Sequence, residues 1–407
     1  MSTFSDDELS QKSSTASEDS FAPANDKIFF HEYREAFSRF EMFSSFVRGD
    51  LSDNQVDFLA AEGRDYFLTH GMIYKNKSGI LEHRPFTVLP TPIPRRLFTA
   101  AREVQKDFNL LVHKASKDFQ FTKDALLSTI TADVFTARIF AIYEKTQEQG
   151  IGQPISLGIF RSDYMIEQTS GSHKEEEEEE EENLNLCIKQ VELNTISISA
   201  ITSSCRASSL HRTAHTLIKY GDAPKSDHRI AFAVIMFIVR PDEVNVYVQR
   251  ILEYSIRDKD GLEVAVAYFR AGYTPVDYPS EDEWSARLTI ELSRCVKCPT
   301  VAYQLMGTKK MQQVFAEPGV LERFLPNREA VDRVRATFTG LYTLDPESIK
   351  PAEIISELGI FGIFLSRGDE IEVNKDGGFL LRSRPWDKLE VISLHGEGAY
   401  SSPYLVD

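Results

Sequence analysis

Eight consecutive glutamates, Glu175 to Glu182, constrain the fold of this 407-residue chain more than any other stretch. Adjacent like charges repel, and no folded interior neutralises eight of them at successive positions. The segment 169–185 is therefore expected as a solvated surface loop joining two structured elements. The run also accounts for most of the charge. It supplies −8 of the net −16, and the Ser- and Asp-rich residues 1–26 supply −5, which leaves −3 for the rest. A nearly neutral body argues against a nucleic-acid scaffold or a basic membrane-surface binder. Residues 1–26 carry too few large apolar side chains to offset their ordering entropy, so disorder is expected there.

The remainder, in a chain that is 42% hydrophobic, is long enough to bury a sizeable core over two or three domains. The longest apolar run, 230–239, is ten residues, about half of the ~20 that a membrane helix needs, and reads as a buried strand. Four cysteines, Cys187, Cys205, Cys295 and Cys298, are too few for a disulfide framework, and the first residues carry no signal-like apolar core. A cytoplasmic protein with no membrane partner is the expectation.

Leu97, Ala101, Val104, Phe108 and Leu111 recur at helical spacing and predict a helix over 95–116, and a second helix is expected over Leu126–Tyr143. The pattern then shortens to β-rich runs at 155–160 and 186–194. From 230 strands alternate with helices: strand 230–239, helix 243–254, strand 263–269, helix 281–293. That alternation predicts a small α/β unit with a largely parallel sheet. From Ile354 the text is strand-like, with tight turns expected at Arg367-Gly-Asp and Asp376-Gly-Gly.

The stretch from Lys189 to Ser199 is the richest in chemistry. On a strand Glu192 and Asn194 project together, with Ser197 and Ser199 after them. A carboxylate beside an amide oxygen suits Mg²⁺, and a half-buried strand with its polar face in water fits the same spacing. Arg161, expected at a strand end, could grip a carboxylate bidentately or pair with Asp163 at the surface. Arg270 ends another strand before a Gly turn, and Lys309 and Lys310 offer either phosphate contacts or a solvated face. Cys295-Val-Lys-Cys298 lacks a second ligand pair at zinc spacing, and His211-Arg-Thr-Ala-His215 has an arginine where a zinc protease needs glutamate, so neither reads as a metal site.

The ordered series Pro85–Pro90, Asp107–Leu111, Ser128-Thr-Ile, Asp133–Arg138, Arg161-Ser-Asp-Tyr-Met165, Val191–Ser197, Gly307-Thr-Lys-Lys310 and Ile355–Gly362 resembles eukaryotic glutathione synthetase, a family of ATP-grasp ligases. The likeness runs from about residue 52 to the end and leaves out the acidic loop. It implies an α+β ATP-grasp body with an α/β substrate-binding domain inserted at 229–306, between body parts at 27–228 and 307–407. It also implies a homodimer that joins γ-glutamylcysteine to glycine, using ATP and Mg²⁺ through an acyl phosphate. By position, Glu192 and Asn194 match metal ligands, Glu192 also meeting the nucleotide. Arg161, Ser197, Ser199, Asn245, Gln249, Arg270 and Tyr273 match the dipeptide pocket. Lys309 and Glu357 match nucleotide contacts, Arg382 matches the substrate-binding arginine taken as catalytic, and Arg384 stands for an ATP-contacting lysine.

Several positions depart from the family pattern. Between the counterparts of Asp345 and Ile355 the family carries a long segment with a lysine-bearing strand, a Gly-rich phosphate loop holding a third metal carboxylate, and the adenine hinge. Here Pro346–Ile354 bridges that interval, and Gly377-Gly378 is the only adjacent glycine pair in the chain. The ATP-grasp part is thus incomplete. The strands beside the gap are expected to lose neighbours, and ligase activity is expected to be impaired or absent. A non-catalytic paralogue or splice form that keeps the dipeptide pocket, or pairs with a complete subunit, is the alternative. Val244 replaces a usual arginine, Ala271 an acid, and the closing loop is shortened to 396–402.

Overall fold

The computed structural model describes residues 53–169 except 77 and 151, 185–211 except 201, 202 and 204, and 235–239, 264–338, 354–385 and 399–406. It opens with helix α1 (Asp53–Thr69) and the strands β1 (Ile73–Lys75), β2 (Leu81–His83) and β3 (Thr91–Pro94). The predicted stripe is helix α2 (Arg95–Lys117), with Leu97, Ala101, Val104, Phe108 and Leu111 all buried. The second expected helix is two helices. Asp118 caps α3 (Phe119–Ala132) by accepting from the Phe121 N–H at 2.9 Å, and Asp133 caps α4 (Val134–Gln149) by accepting from the Thr136 N–H at 2.7 Å. Asp133 is extended, at φ −120° and ψ 115°, so the apolar period continues across a chain break in helical geometry.

A five-stranded antiparallel sheet forms the centre: β4 (Ile155–Thr169), β5 (Asn185–Asn194), β9 (Ile354–Arg367), β10 (Glu370–Pro385) and β11 (Ala399–Ser401), in the spatial order β11-β10-β9-β4-β5. Between β5 and β9 in sequence come β6 (Ile235–Ile238), β7 (Val266–Phe269) and β8 (Val296–Cys298), which pair in parallel as a separate three-stranded sheet with helix α5 (Glu281–Leu292) beside it. Helices α6 (Val301–Met306), α7 (Lys309–Phe315), α8 (Val320–Phe324) and α9 (Arg328–Thr337) follow. The last strand, β12 (Pro403–Val406), runs parallel to β3. No described helix is long and apolar enough to cross a membrane.

The strand pattern corrects three expectations. Arg161 is not at a strand end, because β4 continues to Thr169 and Arg161 lies in its middle. Asp376-Gly-Gly is not a turn, since β10 runs through it and absorbs the extra residue as a bulge between Asp376 and Gly378. The strand that follows the short bridge is not an orphaned edge either. β9 pairs with β10 from Ile354 to Arg367 and with β4 from Leu358 to Arg367, which makes it the sheet's middle strand. Its backbone is therefore paired on both sides from Leu358 to Arg367, whereas Ile354–Glu357, next to the bridge, pair with β10 alone.

Alternation divides this sheet's side chains between two faces. Phe160, Leu193, Leu358, Ile360, Phe364 and Leu381 join α2 and its neighbours in the main core. Phe361 and Leu380 turn to the other face, where they meet Phe67 of α1 and Ile198 and Tyr400 in a smaller cluster. Arg161, Asp163, Glu192, Glu357 and Arg382 share this second face.

Candidate active site on the sheet face

Register brings the acids and cations of four strands together. Arg161 faces Asn194, Asp163 faces both Glu192 and Gly359, and Arg382 faces Glu357. Arg161 forks onto Asp163, its Nε donating to Oδ1 and its Nη2 to Oδ2, both at 2.7 Å. Asn194 Nδ2 donates to Asp163 Oδ2 at 2.9 Å and to Glu192 Oε1 at 2.8 Å. Arg382 Nη2 donates to Glu357 Oε2 at 2.8 Å and lies 3.8 Å from Asp163 Oδ2. Lys309, at the start of α7, points its Nζ to the Val191 carbonyl at 3.3 Å and to Glu192 Oε2 at 3.4 Å.

Three cations therefore meet three carboxylates, with a ligand oxygen from each of Asp163, Glu192 and Glu357 within 4.8 Å of the other two. Burial would pull the Arg161 guanidinium pKa down. The charge and hydrogen bonds of Asp163, helped by Glu357 and Glu192, outweigh that and hold it above its ordinary value. The Arg161–Asp163 pair is thus a buried fork, not a surface pair, with Asp163 wholly inaccessible. Gly359 makes room for it: a Cβ at that position would come 2.6 Å from Asp163 Oδ1 and 3.1 Å from Arg161 Cδ. Arg382 is buried too, and its Nε–H has no hydrogen-bond partner among the described residues.

A second group lies where β5 ends and the parallel sheet begins. Ser197 takes a left-handed φ of 56° and Ala200 one of 68°. Arg270 Nη1 donates to the Ser197 carbonyl at 2.9 Å, Tyr268 Oη to that of Ile198 at 2.9 Å, and Ser197 Oγ to that of Phe269 at 3.4 Å. Ser199 is half-buried in the same loop, and Tyr273 is half-buried beyond the Gly272 turn. Asn245 and Gln249 lie outside the described residues, as does the side chain of Arg384, whose backbone belongs to β10.

The sequence reading missed Asp163 as the hub of the cluster. Its spacing of two from Arg161 on a strand was the available signal. Of Cys295-Val-Lys-Cys298 and His211-Arg-Thr-Ala-His215, Cys298 and His211 are buried, and His215 lies outside the described residues. Burial raises the Cys298 thiol to about 12, and His211 is buried between Ser402 Oγ and the Thr87 carbonyl, each at 2.7 Å.

Comparison with known proteins agrees with this architecture. The family model for the eukaryotic glutathione synthase ATP-binding domain matches residues 53–352 and again 346–405. Glutathione synthetase of Dictyostelium discoideum is 32% identical over 487 residues, covering 87% of this chain and all of the relative. That span exceeds the 407 residues available, so parts of the relative face no residue here. The Xenopus laevis glutathione synthetase is 37% identical, covering 71% of this chain and 69% of its own. A solved glutathione synthetase-like effector from Globodera pallida, in its apo form, shares the fold at a TM-score of 0.66 and 19% identity, over 88% of this chain and 98% of that one.

The chain is an α+β protein of the ATP-grasp synthetase class. It belongs to the eukaryotic glutathione synthase family.

Proposed function

We propose that this chain acts as a glutathione synthetase-type ligase, joining γ-glutamylcysteine to glycine at the expense of ATP, with turnover lowered by the short bridge before β9. The carrying observation is the convergence of Arg161, Glu192, Asn194, Lys309, Glu357 and Arg382 on one sheet face. A buried guanidinium whose Nε–H has no partner among the described residues is a group that an anionic substrate satisfies, which suits Arg382 to a carboxylate or phosphoryl oxygen. Arg161, Ser197, Ser199, Arg270 and Tyr273, with Asn245 and Gln249, are assigned to the dipeptide. Lys309, Glu357 and Arg384 are assigned to the nucleotide.

A divalent ion fits the donor set. Glu192 and Glu357 are half-buried oxygen ligands close enough to share one ion, with Asn194 beside them, whereas Asp163 is wholly buried and held by both arms of the Arg161 fork. Mg²⁺ there would supply charge neutralisation on the transferring phosphoryl group. Arg161 and Arg382 would hold the reacting carboxylate and developing charge in a fixed direction, and the loop at 195–200 would cover the dipeptide from water. A cytoplasmic homodimer completes the proposal.

ADP release by the purified chain with γ-glutamylcysteine, glycine, ATP and Mg²⁺ tests the reading. Turnover is expected only with both amino substrates present, and slower than that of a complete relative by about 10²-fold or more, the scale of losing one preorganised donor. ADP release indifferent to the dipeptide, or no calorimetric binding of the dipeptide, would overturn the ligase assignment. Turnover equal to that of a complete relative would overturn the impairment.

A further inference from the structure

A single carboxylate oxygen organises the loop after β7. Asp277 Oδ2 accepts from the backbone N–H groups of Gly272, Tyr273 and Thr274 and from the Thr274 hydroxyl, all at 3.0 Å. Successive amides converging on one anion form a nest, a device that elsewhere captures ligand anions and here captures the chain's own aspartate. The turn needs glycine at 272, where φ is +94° and a Cβ would approach the Tyr278 hydroxyl to 3.0 Å and the Arg287 guanidinium to 3.3 Å. Once formed, the turn is fixed from outside. The Gly272 carbonyl accepts from Gln304 Nε2 at 2.8 Å and from Tyr278 Oη at 3.2 Å.

Gln304 belongs to α6, and its own carbonyl accepts the Thr195 hydroxyl at 3.4 Å. One residue of the body thus touches the loop that carries Tyr273 and the stretch that leads into Ser197 and Ser199. Arg270 closes the connection through the Ser197 carbonyl. Asp277 lies outside the charged cluster of the main site, and it shapes the backbone between two residues assigned to the dipeptide.

We propose that Asp277 is a positioning residue of the dipeptide pocket: by gathering the amides of 272–274 it sets the direction in which Arg270 and Tyr273 meet a γ-glutamyl dipeptide. The proposal rests on the functional reading above. A charged acceptor holds amides more strongly than a neutral one, so the carboxylate and not merely its shape is required.

Calorimetric titration of the full chain with γ-glutamylcysteine and, separately, with ATP and Mg²⁺ tests it in the parent, Asp277→Ala and Asp277→Asn. The alanine variant is expected to bind the dipeptide about tenfold more weakly or worse, Asp277→Asn to fall between, and nucleotide affinity to stay within about twofold. Hydrogen exchange at the amides of 272–274 is expected to accelerate in Asp277→Ala. If Asp277→Ala does not fold, Asp277→Asn and Thr274→Val, which removes only the hydroxyl bond, carry the test. Dipeptide affinity within about twofold of the parent in the folded variants overturns the proposal. So does equal weakening toward dipeptide and nucleotide, which would make Asp277 a general stability residue. A parent chain that binds nucleotide but no dipeptide defeats the functional reading first, and this inference with it.

Discussion

Breaking the Arg161–Asp163 fork should unsettle the sheet as well as the site. In Asp163→Ala the guanidinium of Arg161, a side chain only 8% exposed, loses both of its short partners. Removing one member of a buried ion pair costs about 3–5 kcal/mol, because the other charge stays desolvated and uncompensated. Glu192 Oε1, 3.7 Å from Arg161 Nη2, returns part of that, which places the expected loss near the lower end, about 3 kcal/mol. For a chain of this size that is a fall in Tm of roughly 3–4 °C. Arg161→Met should cost a comparable amount by stranding Asp163, whereas the double variant strands neither charge. Urea unfolding of the four proteins should therefore give a coupling of at least about 2 kcal/mol. Single losses that simply add, or a cost below about 1 kcal/mol for Asp163→Ala, would refute the argument that this pair is desolvated and mutually dependent.

Gly359→Ala should act on the same pair sterically, costing about 1–3 kcal/mol in a thermal melt, because its Cβ would fall 2.6 Å from Asp163 Oδ1. Lys309→Ala should leave the melt within about 1 kcal/mol, since the side chain is 66% exposed, yet weaken a fluorescent ATP analogue about tenfold. Stability should fall on acidification from about pH 6.5 to about pH 4. Burial depresses His211 from 6.5 to about 4, so in that interval the unfolded chain binds the proton that the folded chain refuses; the contribution is complete above the upper limit and amounts to about 3 kcal/mol. Replacing His211 by Gln should flatten that part of the pH profile in urea titrations, and an unchanged slope would count against the assignment.

Much of this fold is legible where apolar period and caps agree, as in α2, whose stripe and length follow directly from the residues. The junction at Asp133 is not, because the apolar positions on either side happen to keep phase while a single aspartate stops the backbone. Arg161 reads as a strand end because Arg161, Ser162 and Asp163 are polar, and polarity looks like a boundary. It reads so only until β9 and β5 are known to flank β4 and supply buried partners. The same non-local pairing explains why β9 reads as an orphaned edge: nothing near Leu358 indicates that its neighbour is Tyr164 of β4, some 190 residues earlier. The ordered family likeness nominates Arg161, Glu192, Asn194, Glu357 and Arg382, which the strand register brings onto one face. The hub at Asp163 and the nest at Asp277 depend on which backbone and side-chain atoms face one carboxylate, which a linear reading does not fix.

The sheet order has a consequence for synthesis. β4 and β5 are complete once residue 194 has been made, but the strand that flanks β4 on its other side begins at Ile354, and its hairpin closes only with residue 385. At ordinary elongation rates that interval lasts about 10–40 s, during which a long strand edge and half of a charge cluster await their partners. The nascent chain therefore passes through a stage at which Arg161 and Asp163 are already neighbours while Glu357 and Arg382 do not yet exist. Conditions that slow elongation would prolong the exposure of that edge to other chains.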